Sequence, residues 1–207
     1  MQVAAQKLVA DGALWLWGAI GTTDPYWPMI RAADVEAALA EMAGPVVVRL
    51  NSGGGSLGEG LKIWALLAQH PATVTIIIDR LAASAASIIA MAGDHVVMRA
   101  GAEMMIHRPR QVSMTSDKAL QLIAAGVAYR ADACASMALD IVAIYAARTG
   151  LHSETIEQLL DAAAVMSGRE AVRLGFADEA DVLAWQPSSL LPHQALCAGT
   201  ALHGEIS

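Results

Sequence analysis

Three short stretches of this sequence carry residue types that could do chemistry, and each alone supports more than one reading. The first is Leu81-Ala82-Ala83-Ser84-Ala85-Ala86-Ser87. A serine among small residues at a helix start lets a substrate backbone come close and turns the helix dipole towards the reacting oxygen. The same pattern also describes a packing serine in an alanine-rich helix. Ser87 lies three residues on, on roughly the same helix side, so spacing does not choose between it and Ser84. The second stretch is Met104-Met105-Ile106-His107-Arg108-Pro109. A histidine ending an apolar strand that a proline stops sits where a sheet edge meets a cleft, suited to a general base or to a structural role. His70, His95, His152, His193 and His203 have loop-like or terminal contexts, and no pair of them has metal-ligand spacing.

The third stretch is Asn51-Ser52-Gly53-Gly54-Gly55, which leads into Gly58. Gly53, Gly55 and Gly58 have the spacing of a dinucleotide-binding loop, and Asp79 lies about twenty residues on, where such folds hold an acid for the ribose. A phosphate loop of the Walker type fails, because Gly60 is followed by Leu61 and not by Lys-Ser/Thr. Two other readings are a tight strand-to-helix turn needing positive φ and a bare backbone whose N–H groups form an oxyanion hole.

The elements that must position these residues alternate between strand and helix. Strand signals fall at 13–20, 45–50, 73–78, 95–98 and 104–106. Helix signals fall at 31–42, 57–69, 83–92, 153–162 and 171–174. Ser56 with Glu59, and Ser167 with Glu170, have capping-box spacing. From Thr115 to Arg148 there is one glycine and no proline. A helix of that length would run ~50 Å at ~1.5 Å per residue, too long to bury on this domain and suited to packing on another subunit. Residues 182–207 show no clear period and read as a tail of low order, after one domain at 1–181.

Composition narrows the class. Of 207 residues, 56% are hydrophobic and only 16% charged, which points to a membrane protein or to a subunit that buries apolar surface against copies of itself. The central uncharged run, Leu81–Gly93, is shorter than the roughly 20 residues of a membrane span, which favours the oligomer. A net charge of −7 without a Lys/Arg cluster argues against nucleic acid. Cys134 and Cys197 stand alone and read as free thiols in a reducing compartment, and the first twelve residues lack a secretory pattern, so a cytoplasmic location is expected.

Taken in order, the motifs resemble the Clp protease proteolytic subunit family, including its bacteriophage-associated members. That pattern runs from a strand to Asn-Ser-Pro-Gly-Gly, then Ala-Ala-Ser, then Met-Ile-His. This chain has Asn51-Ser52-Gly53-Gly54-Gly55, Ala82-Ala83-Ser84, Ala92-Gly93 and Met105-Ile106-His107. The likeness continues through Thr149-Gly150, Met166-Ser167-Gly168-Arg169-Glu170-Ala171-Val172 and Gly175-Phe176-Ala177-Asp178. The resemblance implies an α/β crotonase-like spiral of βαβ units with residues 115–148 as a projecting handle. It implies Ser84 as nucleophile, His107 as general base, and the N–H groups of Gly54 and Ala85 as the oxyanion hole, with no metal or organic cofactor. It further implies a homo-oligomeric ring, in one or two layers, that hydrolyses polypeptides, either with a ring-shaped ATPase partner or on phage capsid or scaffold proteins. The run from Leu81 to Asp94 leans towards the phage-associated group.

Two positions depart from the pattern. Gly53 replaces the family proline, which loosens the loop without removing a required donor. More consequential is the triad acid, which the family carries four residues before the Ser/Thr that opens the last helix. Counted back from Ser167, that position is Ala163. Asp161 is two residues away, about 200° round a helix, and could serve as third member only if the loop bends. Three outcomes stay open: Asp161 substitutes, a Ser–His dyad works slowly, or the chain is a nearly inactive ring or assembly subunit. A crotonase-type acyl-CoA enzyme, which uses the same backbone oxyanion hole, is the rival within the fold.

Overall fold

The β-branched run that begins at Val46 makes the centre of the sheet. In β3 (Val46–Ser52) burial alternates along the strand, with Val46, Val48, Leu50 and Ser52 turned inward. This period of two is what a pleated strand with one covered face requires. The computed structural model describes residues 8–21, 29–109 and 141–181. Its strands are β1 (Val9–Ala10), β2 (Ala13–Trp17), β3, β4 (Val74–Ala83), β5 (His95–Met98), β6 (Glu103–Met105), β7 (Val165–Ser167) and β8 (Glu179–Ala180). The helices are α1 (Ala32–Ala40), α2 (Leu57–Ala68), α3 (Ala85–Ala90), α4 (residues 141–149), α5 (Ser153–Asp161) and α6 (Gly168–Arg173).

This is a mixed α/β fold with an eight-stranded sheet, ordered β1-β2-β3-β4-β5-β8, with β6 on β4 and β7 on β6. β2 through β5 pair in parallel. Such pairing needs crossover connections, which carry α1, α2 and α3 in turn. The first half of β4 pairs with β5, Thr75 to Ile78 opposite His95 to Met98. Its second half pairs with β6, Leu81 to Ala83 opposite Glu103 to Met105. One long strand thus serves two neighbours in succession, and the second neighbour delivers His107 beside the end of the first.

Leu14, Leu16, Val48, Leu50, Ile76, Ile78, Ile89 and Met104 are fully buried and form the core between sheet and helices. Each such side chain contributes about 1.5–3 kcal/mol relative to exposure. Tyr145 of α4 packs in the same core against Phe176, ring centroids 5.6 Å apart.

Several expected boundaries move. β4 runs on through Asp79 and Arg80 to Ala83, beyond the apolar run at 73–78, because Arg49 on β3 neutralises the buried Asp79 carboxylate across the strand pair. The following helix therefore begins at Ala85 rather than Ala83. β2 stops at Trp17, and Ile20 makes only isolated bridges to Ile30 and Gly55. The last helix starts at Gly168 rather than Ala171. Ser56 caps α2 by accepting from the Glu59 N–H at 3.4 Å, but the Glu59 carboxylate does not close a capping box. It accepts the Ala32 N–H at 2.8 Å at the start of α1 and pairs with Lys62. Of the expected handle helix only 141–148 falls within the described residues, and it is helical. The rest of that helix and the tail at 182–207 lie outside them. Among the described residues no helix is long and apolar enough to cross a membrane.

Candidate active site

Four chain segments meet where β3, β4 and β6 end. β4 finishes at Ala83, and α3 begins one residue after Ser84, so Ser84 alone makes the turn. It does so at φ 56°, ψ −124°, a left-handed backbone that a non-glycine residue holds at a cost of about 1–3 kcal/mol. Three bonds hold the turn. Ser84 N–H donates to Met105 O at 2.9 Å, and Ser84 O accepts both the Ser87 N–H at 2.9 Å and the Ser87 Oγ–H at 2.6 Å. Ser84 itself is half-buried.

These contacts separate the two serines. Ser87 is fully buried, and its Oγ also lies 2.8 Å from the Tyr145 hydroxyl. Burial pushes the Tyr145 hydroxyl well above its ordinary pKa, so it stays a neutral hydrogen-bonding group. Ser87 is therefore a strut between α3, the Ser84 carbonyl and α4. Tyr145 is invisible to sequence reasoning, because nothing local ties it to a serine 58 residues away.

The glycine loop lies directly against this turn. A Cβ on Gly54 would sit 2.5 Å from Ala83 O, 2.8 Å from Ser84 Cβ and 3.0 Å from Ala85 N, and Gly54 has φ +90°. A Cβ on Gly55 would sit 2.0 Å from Ile20 O. Gly54 O accepts the Ile20 N–H at 2.9 Å, and Ile20 O accepts the Ser56 N–H at 2.8 Å. Glycine is required here for close contact with the chain's own backbone, not for a bound dinucleotide. Asp79, the acid of the dinucleotide reading, is buried and accepts from Trp17 Nε1 at 3.1 Å and from Arg49, which stacks over Trp15. Gly54 N–H donates to Ser52 Oγ at 3.0 Å, so that amide already has a partner.

His107 follows β6 and is half-buried. The parallel register sets Ala83 opposite Met105, which brings Ser84 and His107 to the same end of neighbouring strands. The hydrogen bond drawn by the imidazole runs from Nδ1 to Arg108 O, at 2.5 Å, and not to Ser84. This contact corresponds to the tautomer with hydrogen on Nδ1 and a lone pair on Nε2.

β6 pairs antiparallel with β7, Glu103 opposite Ser167, Met104 opposite Met166 and Met105 opposite Val165. The pairing extends to an Ile106 N–H bond to Ala164 O at 3.1 Å. Beyond it the ladder ends, with Arg108 N–H donating to Leu160 O at 3.3 Å, so Ala163 lies at the chain turn beside His107. Ala163 is exposed and has φ +48°. It closes α5, donating its N–H to Leu160 O at 3.2 Å, while Ala164 N–H donates to Leu159 O at 3.0 Å. Asp161 does not reach the imidazole. Its carboxylate is held in a two-pronged ion pair by Arg108, Nη2 to Oδ2 at 3.0 Å and Nε to Oδ1. Arg108 holds the Asp161 carboxyl below its ordinary range, and Asp161 in turn raises the Arg108 guanidinium. Ser52 and Arg108, both beside singled-out motif residues, are the site neighbours that sequence reasoning passed over. Among the described residues no group of three or more His, Cys, Asp or Glu side chains could hold a metal ion.

Comparison with known proteins bears on the family and the fold. The family model described as Clp protease matches residues 36–182. The ATP-dependent Clp protease proteolytic subunit 1 of Chlamydia muridarum is 29% identical over 136 residues, 65% of this chain and 68% of that protein. Its namesake from Protochlamydia amoebophila is 25% identical over 143 residues, 68% and 67% of the two chains. Among solved structures, a ClpP1 point mutant from Listeria monocytogenes superposes with a TM-score of 0.64 at 21% identity, over 82% of this chain and 90% of that one.

Proposed function

The chain belongs to the Clp protease family, whose members are serine peptidases, and from that premise we propose that it is an endopeptidase with Ser84 as nucleophile and His107 as general base. The observation that carries this reading is the strained turn at Ser84, φ 56°, wedged between the Gly54 backbone and the strand that leads to His107. His107 Nε2 takes the Ser84 hydroxyl proton as Oγ attacks the scissile carbonyl, and returns it to the leaving amine. Water then hydrolyses the acyl-enzyme by the same route. Gly54 N–H and the N–H of Ala85, a free donor position in the first turn of α3, receive the oxyanion. Each such donor is typically worth about 3 kcal/mol in the transition state. Gly54 must first release Ser52 Oγ.

The apolar excess supports a homo-oligomeric ring, and the names of the chlamydial relatives, ATP-dependent proteolytic subunits, support an ATPase partner. A role on phage capsid or scaffold proteins rests on the Leu81–Asp94 run alone. Ala163 favours one second reading, a ring or assembly subunit with little activity. A crotonase-type acyl-CoA enzyme would need neither Ser84 nor His107. The test is hydrolysis of an unfolded protein and of fluorogenic peptides by the assembled chain, with Ser84→Ala and His107→Ala alongside. Loss of cleavage in both variants, with the oligomer intact by light scattering, supports the endopeptidase. An assembled wild type that cleaves nothing supports the assembly subunit.

A further inference from the structure

Two of the molecule's features answer how His107 works without an acid at Ala163. The imidazole Nδ1 sits 2.5 Å from Arg108 O. That carbonyl belongs to a residue held both at its backbone N–H and at its side chain. Arg108 N–H donates to Leu160 O at 3.3 Å, and the Arg108 side chain is clamped by both oxygens of Asp161, with Glu157 at 3.9 Å behind it. Ile106 N–H on Ala164 O pins the chain on the other side of His107.

We propose that the Arg108 main-chain carbonyl stands in for the absent triad carboxylate as acceptor of the His107 Nδ1–H, and that Asp161 is a positioning residue acting through the Arg108 side chain. The inference rests on the Ser84–His107 reading. A carbonyl does two of the acid's jobs: it fixes the tautomer and it orients the ring so that Nε2 faces the nucleophile. It does the third, stabilising the imidazolium, less well than a full charge. The ion pair is not there for stability. Its side chains are 44% and 59% exposed, where pairs contribute little to folding. Its geometric effect is local, to hold the peptide that carries the acceptor. The role expected of Asp161 as a direct third member is replaced by one at one remove.

The test is a double-mutant cycle on the assembled full chain, with Asp161→Ala, Arg108→Ala, the pair together, and Asp161→Glu. Each single variant is expected to lower kcat about tenfold with KM unchanged, the size of loss that small misplacement of a catalytic group produces. The double variant is expected to lose no more than either single one, and Asp161→Glu to recover most of the activity. Histidine-selective 15N solid-state spectra give an independent readout: the Nδ1–H tautomer of His107, assigned by its loss in His107→Ala, should give way to a mixture in Asp161→Ala. Additive losses, or an Asp161→Ala effect that persists undiminished in Arg108→Ala, would mean that Asp161 acts on His107 directly, and would overturn the proposal. An unchanged tautomer in Asp161→Ala would overturn it too. A wild type with no activity refutes the protease reading instead, while the tautomer still reports on the Arg108 contact.

Discussion

Placing a carboxylate at position 163 should raise activity without destabilising the fold, and the β6–β7 register sets the size of both effects. The pairing Met105–Val165, continued through the Ile106–Ala164 hydrogen bond, brings position 163 to the end of the ladder beside His107. Cβ atoms of neighbours across an antiparallel pair lie about 4.5–8 Å apart, and a carboxylate extends beyond its Cβ, so a separation of about 4.5 Å from the imidazole is within reach. A unit charge at about 4.5 Å from the imidazolium is worth about 1 kcal/mol in a watery surround and nearly 4 kcal/mol at an effective dielectric of 20. Ala163 is exposed and His107 half-buried, so an intermediate value of about 2 kcal/mol applies, a 10- to 100-fold gain in kcat. The gain stays below the ~10⁴ associated with losing a triad acid, because Arg108 O already holds the tautomer. The backbone also benefits. Ala163 sits at φ +48°, where Asp and Asn are several-fold enriched, so relief of a fraction of the 1–2 kcal/mol penalty should lift Tm by about 1–3 °C. Fluorophosphonate labelling rates and peptide kcat/KM, measured for Ala163→Asp and Ala163→Asn with thermal melts, check both parts. Both variants should gain in Tm, and only Ala163→Asp in rate. Equal rates for Ala163→Asp and wild type would refute the register argument.

Other consequences follow from contacts around the site. Ser52→Ala removes the present acceptor of the Gly54 N–H, so a donor freed for the oxyanion should speed labelling of Ser84 about three- to tenfold, the worth of one ordinary hydrogen bond; slower labelling would mean that Ser52 instead shapes the loop. Gly54→Ala forces a methyl to within 2.5 Å of Ala83 O in a backbone at φ +90°, and should abolish labelling and cost about 2–4 kcal/mol in urea melts. Glu59 has its carboxyl pulled below the ordinary range, chiefly by the Ala32 N–H and then by Lys62. Its contribution is therefore complete above its unfolded-state value near 4.5 and is lost as pH falls through the lower folded value. Glu59→Gln should reduce stability at pH 7 and flatten the acid side of the urea-midpoint profile below about pH 5.

What was legible in the sequence was local. The strand–glycine loop–helix at 46–68, the serine before α3 and the histidine after β6 each announce themselves within a few residues, through β-branched runs, bare glycines and small side chains. What was hidden depends on distant partners. β4 read as ending at Ile78 because Asp79 and Arg80 interrupt its apolar run, and it is Arg49 on the neighbouring strand, with Trp17 Nε1, that makes a buried Asp79 tolerable. The Arg108–Asp161 pair joins residues 53 apart, and Ser87–Tyr145 residues 58 apart, so neither shows in a window of sequence. Ala163 was visible as a missing acid by position. That its backbone is left-handed and that it sits at the end of the ladder leading to His107 follow from tertiary structure alone.

The central claim, that Ser84 is an activated nucleophile, is tested most directly by mapping the covalent adduct of a fluorophosphonate on the assembled wild-type chain by mass spectrometry. The account predicts a single adduct on Ser84, absent in Ser84→Ala and strongly slowed in His107→Ala. An adduct on Ser87 or Ser52, or no adduct on an intact assembly, would contradict it.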